Sequence, residues 1–148
     1  MNYYIKTIWG PRADCYPKKD KNGGVISFPI NYPKQSQKFE ECDGFFLYET
    51  SHKEDDQIGV KAIYAYGQIA EDQKGKDLEK NYIARGKEFG GGVRVDIQKR
   101  VKGEDGISIS QLRKLGIRQF EALGGLIKIT DEQFAILKKE LDKINNKD

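Results

Sequence analysis

The side chains best suited to chemistry in this chain are aromatic. Trp9, Phe28 and Tyr48 each close a predicted strand, where a chain leaves its sheet and where pockets form. Core packing accounts for any one of them alone. Several such strand ends meeting would instead form a cage in which a flat nucleobase stacks. A methylated base would bury one more apolar group there, worth about 1 kcal/mol. A methyl on a ring nitrogen would also add positive charge, which an aromatic face attracts.

Covalent chemistry has less to work with. A Cys42–His52 dyad is conceivable, but His52 is the sole histidine and no fuller triad can be assembled. Cys15 and Cys42 match no zinc spacing and read as reduced thiols. The acidic pairs Glu40-Glu41 and Asp55-Asp56 read as solvated loop residues. Gly23-Gly24 and Gly90-Gly91-Gly92 lack the Lys-Ser/Thr of a phosphate loop and read as turns. The expectation is a binding protein with no catalytic residue, metal or cofactor.

The elements that must position the aromatic residues follow from periodicity and turn chemistry. Tyr3 to Trp9 is rich in aromatic and β-branched types and reads as a strand broken by Gly10-Pro11. Val25 to Phe28 makes a second strand, stopped by Pro29, and the polar stretch 31–41 reads as a loop with at most a helical turn. The turn Asp43-Gly44 leads into a strand over Phe45 to Thr50. Beyond the charged loop Lys53 to Asp56, alternation over Val60 to Ile69 predicts another strand. Glu71 to Lys80 is a charge-dense loop, Tyr82 to Arg85 a short strand or turn, and Val93 to Ile97 an alternating strand.

The last third changes character. Ser108 with Gln111, and Thr130 with Gln133, each fit a capping box. They predict a helix over all or part of Gln111 to Leu123 and another over Asp131 to Asn145, the second with an apolar stripe of Phe134, Leu137, Leu141 and Ile144. Leu126 to Ile129 reads as a short strand between them. Strands first and helices last suggest an α+β domain with a curled sheet or small barrel.

The chain has 148 residues, enough for one domain over 1–148 with a real core. Charged residues are 33% of it, yet one Trp, eight Tyr and seven Phe argue against disorder. The formal charge of +3 is too mild to name a nucleic-acid partner by itself. No apolar run is long enough to span a membrane and no signal-peptide core is present, so a cytoplasmic location without membrane contact is expected.

In this order the segments resemble the EVE group of the PUA-like superfamily, close in fold to YTH domains. Tyr3-Tyr4-Ile5-Lys6-Thr7 looks like that group's opening strand, which often ends in Lys-Ser. Gly24-Val25-Ile26-Ser27-Phe28 is similar to its second strand in modification-dependent restriction proteins. Asp43 to Thr50 looks like the Gly-Asp turn and the strand ending in Tyr-His-Ser, and Ile63 to Ala70 like the following strand. Ile107 to Leu141 resembles the closing Ser-Leu-x-x-Leu, Gly-Gly-x-Ile-x-Ile-Thr and last helix. Two departures stand out. Tyr-His-Ser is Tyr48-Glu49-Thr50 here, and the tryptophan common after the group's first strand has no counterpart by motif.

The resemblance implies a PUA-like α+β fold, a curled sheet or small β-barrel with flanking helices. It implies nucleic-acid binding, with a modified base flipped into an aromatic pocket. By position Lys6 and Thr7 would border that pocket, Tyr48 and Thr50 would line it, and Phe28 would form a wall. Trp9 joins them by proximity, and Asn31, Thr7 and Thr50 would offer hydrogen bonds to the base edge. Lys6, Arg85, Arg94 and Lys99 would neutralise phosphates. DNA is favoured over RNA, since the nearest-looking domains are target-recognition modules of defence nucleases, and a nuclease or motor subunit or fused domain is an expected partner. The rival readings are a generic RNA-binding domain of the same fold, a small hydrolase using Cys42 or His52, and a protein-interaction module whose complex would be insensitive to salt.

Overall fold

The structure, a computed structural model, describes residues 1–13, 15–19, 23–30, 33–54, 56–75, 82–84, 87–118 and 125–145. The first half runs β1 (Tyr3–Ile8), β2 (Gly24–Pro29), α1 (Pro33–Glu40), β3 (Gly44–Glu49), a small hairpin of β4 (Lys53–Glu54) and β5 (Gln57–Ile58), then β6 (Ala62–Ile69). The second half runs β7 (Tyr82–Ala84), β8 (Lys87–Arg100), a 3-10 turn (Gly103–Asp105), β9 (Ile107–Ser108), α2 (Ile109–Lys114), β10 (Leu126–Ile129) and α3 (Asp131–Asp142).

One sheet has the order β10-β1-β3-β6-β8-β2, with β7 added to β8 and β9 to β6. Among the described strands only β1 and β3 run parallel, because the chain crosses from one to the other through β2 and α1. The 14-residue β8 makes the sheet curl. Its last part pairs with β6 from Val95 to Arg100, while its earlier part pairs with β2 from Val95 back to Phe89.

The Gly90-Gly91-Gly92 run lies inside β8 and is not the turn expected from sequence. The register against β2 slips there, with Ile26 opposite Val93 and Phe28 opposite Gly90. Glycine is what a bulged, strongly bent strand requires, so the run marks curvature and not chain reversal. Two other expectations change. Residues 33–40 form a helix where a loop was expected, starting at Pro33, whose missing N–H costs nothing at a first helical position. The charged loop after β3 contains the β4–β5 hairpin.

Strand alternation sorts the core into two faces. Tyr4, Lys6, Ile8, Phe45 and Leu47 face α1, whose Phe39 lies 5.2 Å from the Phe28 ring and 4.9 Å from that of Phe45. Tyr3, Ile5 and Phe46 face α3, where the Phe134 ring stacks on Tyr3 at 3.8 Å and meets Phe46 at 5.0 Å. Leu137 and Leu141 of α3 are fully buried, as the apolar stripe predicts. Both capping boxes form, Ser108 with Gln111 and Thr130 with Gln133. Among the described residues no helix is long and apolar enough to cross a membrane.

Candidate functional site

Where β1 ends, three segments distant in sequence meet. Trp9, half-buried, leaves the strand with its ring 5.2 Å from His52 and 5.3 Å from Phe89, the latter edge-on at 78°. His52 follows β3, and Phe89 opens the long strand β8. An edge-on neighbour and a tilted one are favoured aromatic geometries and hold the Trp9 ring in place. Phe89 and His52 were not among the expected pocket residues. Phe89 stands next to the glycine run that had been read as a turn, so its strand was not visible from periodicity.

Glu49 holds this corner together. Its carboxylate is 2% exposed, and one oxygen accepts hydrogen bonds from the backbone N–H groups of Arg12 and Ala13, the second at 2.6 Å. The other oxygen accepts from Val60 N–H at 2.8 Å. A buried carboxylate needs such donors, and here they come from two separate loops, 10–13 and 59–60. Thr50 adds a second tie. Its hydroxyl accepts from Gly10 N–H at 3.3 Å and lies 2.5 Å from His52 Nδ1, which orients the imidazole beside Trp9. Gly59 donates to His52 O, and a Cβ on Gly59 would sit 1.6 Å from Thr50 O, so only glycine permits this approach.

The other expected pocket residues divide between the two faces of the sheet. Lys6 and Phe28 come together on the α1 face, with the ammonium 4.6 Å from the ring centroid and donating to Thr7 O at 3.2 Å. Both are buried, at 4% and 2% exposure, so Phe28 belongs to the core beneath the corner and is not a wall open to a ligand. Thr7 and Tyr48 are register partners and point to the opposite face. The Thr7 hydroxyl donates to Gly125 O. Tyr48 is 2% exposed, and burial pushes its phenol up to about 12 against the opposing pull of Arg113 on α2. The cage expected from Trp9, Phe28 and Tyr48 therefore does not form. Residues two apart on β3 share a face, and Phe46, which touches Phe134, assigns that of Tyr48.

The expected phosphate ligands are mostly engaged in holding the fold. Arg94 is 1% exposed, its Nε donates to Lys74 O at 2.6 Å, and its backbone is clasped by Gln73, which places it away from any polyanion. Lys99 donates to Ile144 O at 2.6 Å, tying the end of α3 to β8. Asn31 and Arg85 lie outside the described residues.

The Cys42–His52 dyad is not assembled. Cys42 precedes β3 and His52 follows it, so roughly six residues of extended strand at about 3.3 Å each separate them. Burial also pushes the Cys42 thiol up to about 12, far from a nucleophilic thiolate. Among the described residues no group of His, Cys, Asp and Glu could hold a metal ion.

No protein-family profile matches the chain, and no curated protein matches it at a significant level. Solved structures do. The Mmi1 YTH domain is similar with a TM-score of 0.58 at 15% identity, over 96% of this chain and 75% of that one. The Toxoplasma CPSF4-YTH domain in apo form is similar with a TM-score of 0.57 at 15% identity, over 99% of this chain and 90% of that one. At such identity the likeness shows a shared architecture: the chain has the curled-sheet α+β fold of YTH domains.

Proposed function

We propose that this chain binds nucleic acid and receives one modified base at the β1 corner, with Trp9 as the stacking surface. The observation that carries the reading is the meeting of Trp9, Phe89 and His52 from three segments, locked by the Glu49 carboxylate. The shared fold with YTH domains and the ordered EVE-like motifs support it. Trp9 supplies the π face, with the buried Phe89 ring packed edge-on against it, while the Thr50–His52 pair brings polar atoms that a base edge could engage. The reading places the chain within the PUA-like superfamily as an EVE-type or YTH-type reader.

The expected preference for DNA drew on target-recognition modules of defence nucleases. The solved structures that share this sheet are YTH domains, so RNA takes first place in the test, with DNA beside it. A nuclease or motor partner stays part of the proposal only if DNA binding is found.

The test is calorimetric titration with short single strands carrying N6-methyladenine, 5-methylcytosine or 5-hydroxymethylcytosine, each against its unmodified twin, as RNA and as DNA. One buried methyl worth about 1 kcal/mol predicts about fivefold tighter binding of the preferred modified strand. Equal affinity across every pair would remove modification reading and leave a generic RNA-binding domain.

A further inference from the structure

The base-binding reading leaves open where the phosphate backbone runs, because Arg94 and Lys99 serve the fold. Residues 106–118 contain Arg113, Lys114 and Arg118 and no carboxylate, so this stretch alone matches the net +3 of the whole chain. The remaining residues balance. All three side chains are exposed, and among the described residues none forms an ion pair with an acid.

Their presentation is fixed by the fold. The chain enters α2 from β9, which pairs with β6, and Ile109 N–H donates to Lys61 O at 3.0 Å. The helix ends in a Schellman motif. Gly116, at φ 83°, donates to Arg113 O and Ile117 donates to Leu112 O, while Leu112 and Ile117 are buried together. From α3, Gln133 reaches back to Leu115 O at 3.0 Å. Held at both ends, this short helix offers Arg113 and Lys114 from a fixed base, and Arg118 follows directly on the buried Ile117.

They also stand at the right end of the sheet. β9, which leads into α2, pairs with Ala62 and Ile63 of β6, these lie opposite Glu49 and Tyr48 of β3, and β3 pairs there with Thr7 and Ile8, just before Trp9. Gly125, whose carbonyl accepts the Thr7 hydroxyl, immediately precedes β10 at the same end.

We propose that Arg113, Lys114 and Arg118 form the phosphate-binding surface for the strand whose base meets Trp9. The inference rests on the base-binding reading above. Exposed cations with no acidic partner among the described residues, at the same end of the sheet as Trp9, position a polyanion without reading its sequence.

The test is a salt titration of single-stranded RNA binding by the full chain and by the triple variant R113Q/K114Q/R118Q, with modified and unmodified strands. Far-ultraviolet dichroism and a thermal melt check that the variant folds, and R113K/R118K keeps the charge in place. Each lost phosphate contact makes the slope of log affinity against log salt shallower by about 0.7, so the triple variant should lose about 2 from the slope. The preference between strands should be unchanged, and the lysine variant should keep the slope. An unaltered slope in the folded triple variant overturns the surface, whatever the strand preference. A reduced slope with equal binding of both strands leaves the surface standing and overturns the base reading. Absence of any binding by the unmodified protein overturns both.

Discussion

Single residues here separate function from packing. Trp9 is half-buried in a corner built from three segments, while Phe28 is in the core against Phe39 and the Lys6 ammonium. Trp9→Ala should weaken nucleic-acid binding by about 1–3 kcal/mol, the value of one stacked base, with a far smaller effect on the urea midpoint. Phe28→Ala should do the reverse, costing about 3–5 kcal/mol of stability through the cavity it leaves. Paired calorimetry and urea denaturation distinguish the two. The cysteines give a second contrast. With the Cys42 thiol pushed up to about 12, only about one in ten thousand is thiolate at pH 8, whereas Cys15 is exposed. Iodoacetamide at that pH should label Cys15 in the folded chain and reach Cys42 only after unfolding, as mass spectrometry of digests would show. Rapid labelling of native Cys42 would contradict its burial.

At the scale of elements, the stacking corner depends on loops tied to one carboxylate. Glu49 occupies the place where the resembled group has histidine, and its contacts explain what the acid accomplishes: it gathers backbone donors from the 10–13 and 59–60 loops. Glu49→Gln should turn an amide N–H toward those donors and cost on the order of 1–3 kcal/mol of stability. It should also loosen Trp9, seen as faster hydrogen exchange over 9–13 and 59–60. Exchange unchanged in both loops would refute the tie. Gly59→Ala is expected to be worse tolerated, since its Cβ would collide with Thr50 O. These elements were unevenly legible in the sequence. The capped helices α2 and α3 and strands β1, β3, β6 and β10 announced themselves through capping boxes and alternation. Helix α1 did not, because among 33–40 only Phe39 is apolar apart from Pro33 and gives no stripe to read. The extent of β8 did not either, because three glycines imitate a turn where they serve a bend.

For the molecule as a whole, the order of strands and helices carried the fold class, and the structure has the α+β curled sheet of YTH domains. The site was less legible. Sequence identifies strand ends but not which face each side chain takes, and Tyr48 and Thr7 fall on the face opposite Lys6 and Phe28 through strand parity alone. Phe89 meets Trp9 across strands 80 residues apart in sequence, a contact no local pattern announces. Trp9 was the one expected pocket ring that the fold leaves partly open.

It is also the sole tryptophan, so its fluorescence reports on one place. Titrating the chain with a modified strand and its unmodified twin, while following Trp9 emission, addresses base stacking directly. Stacking predicts saturable quenching, at lower concentration for the modified strand, in step with binding measured by anisotropy of a labelled strand. Binding by anisotropy with unaltered Trp9 emission would show that the base goes elsewhere.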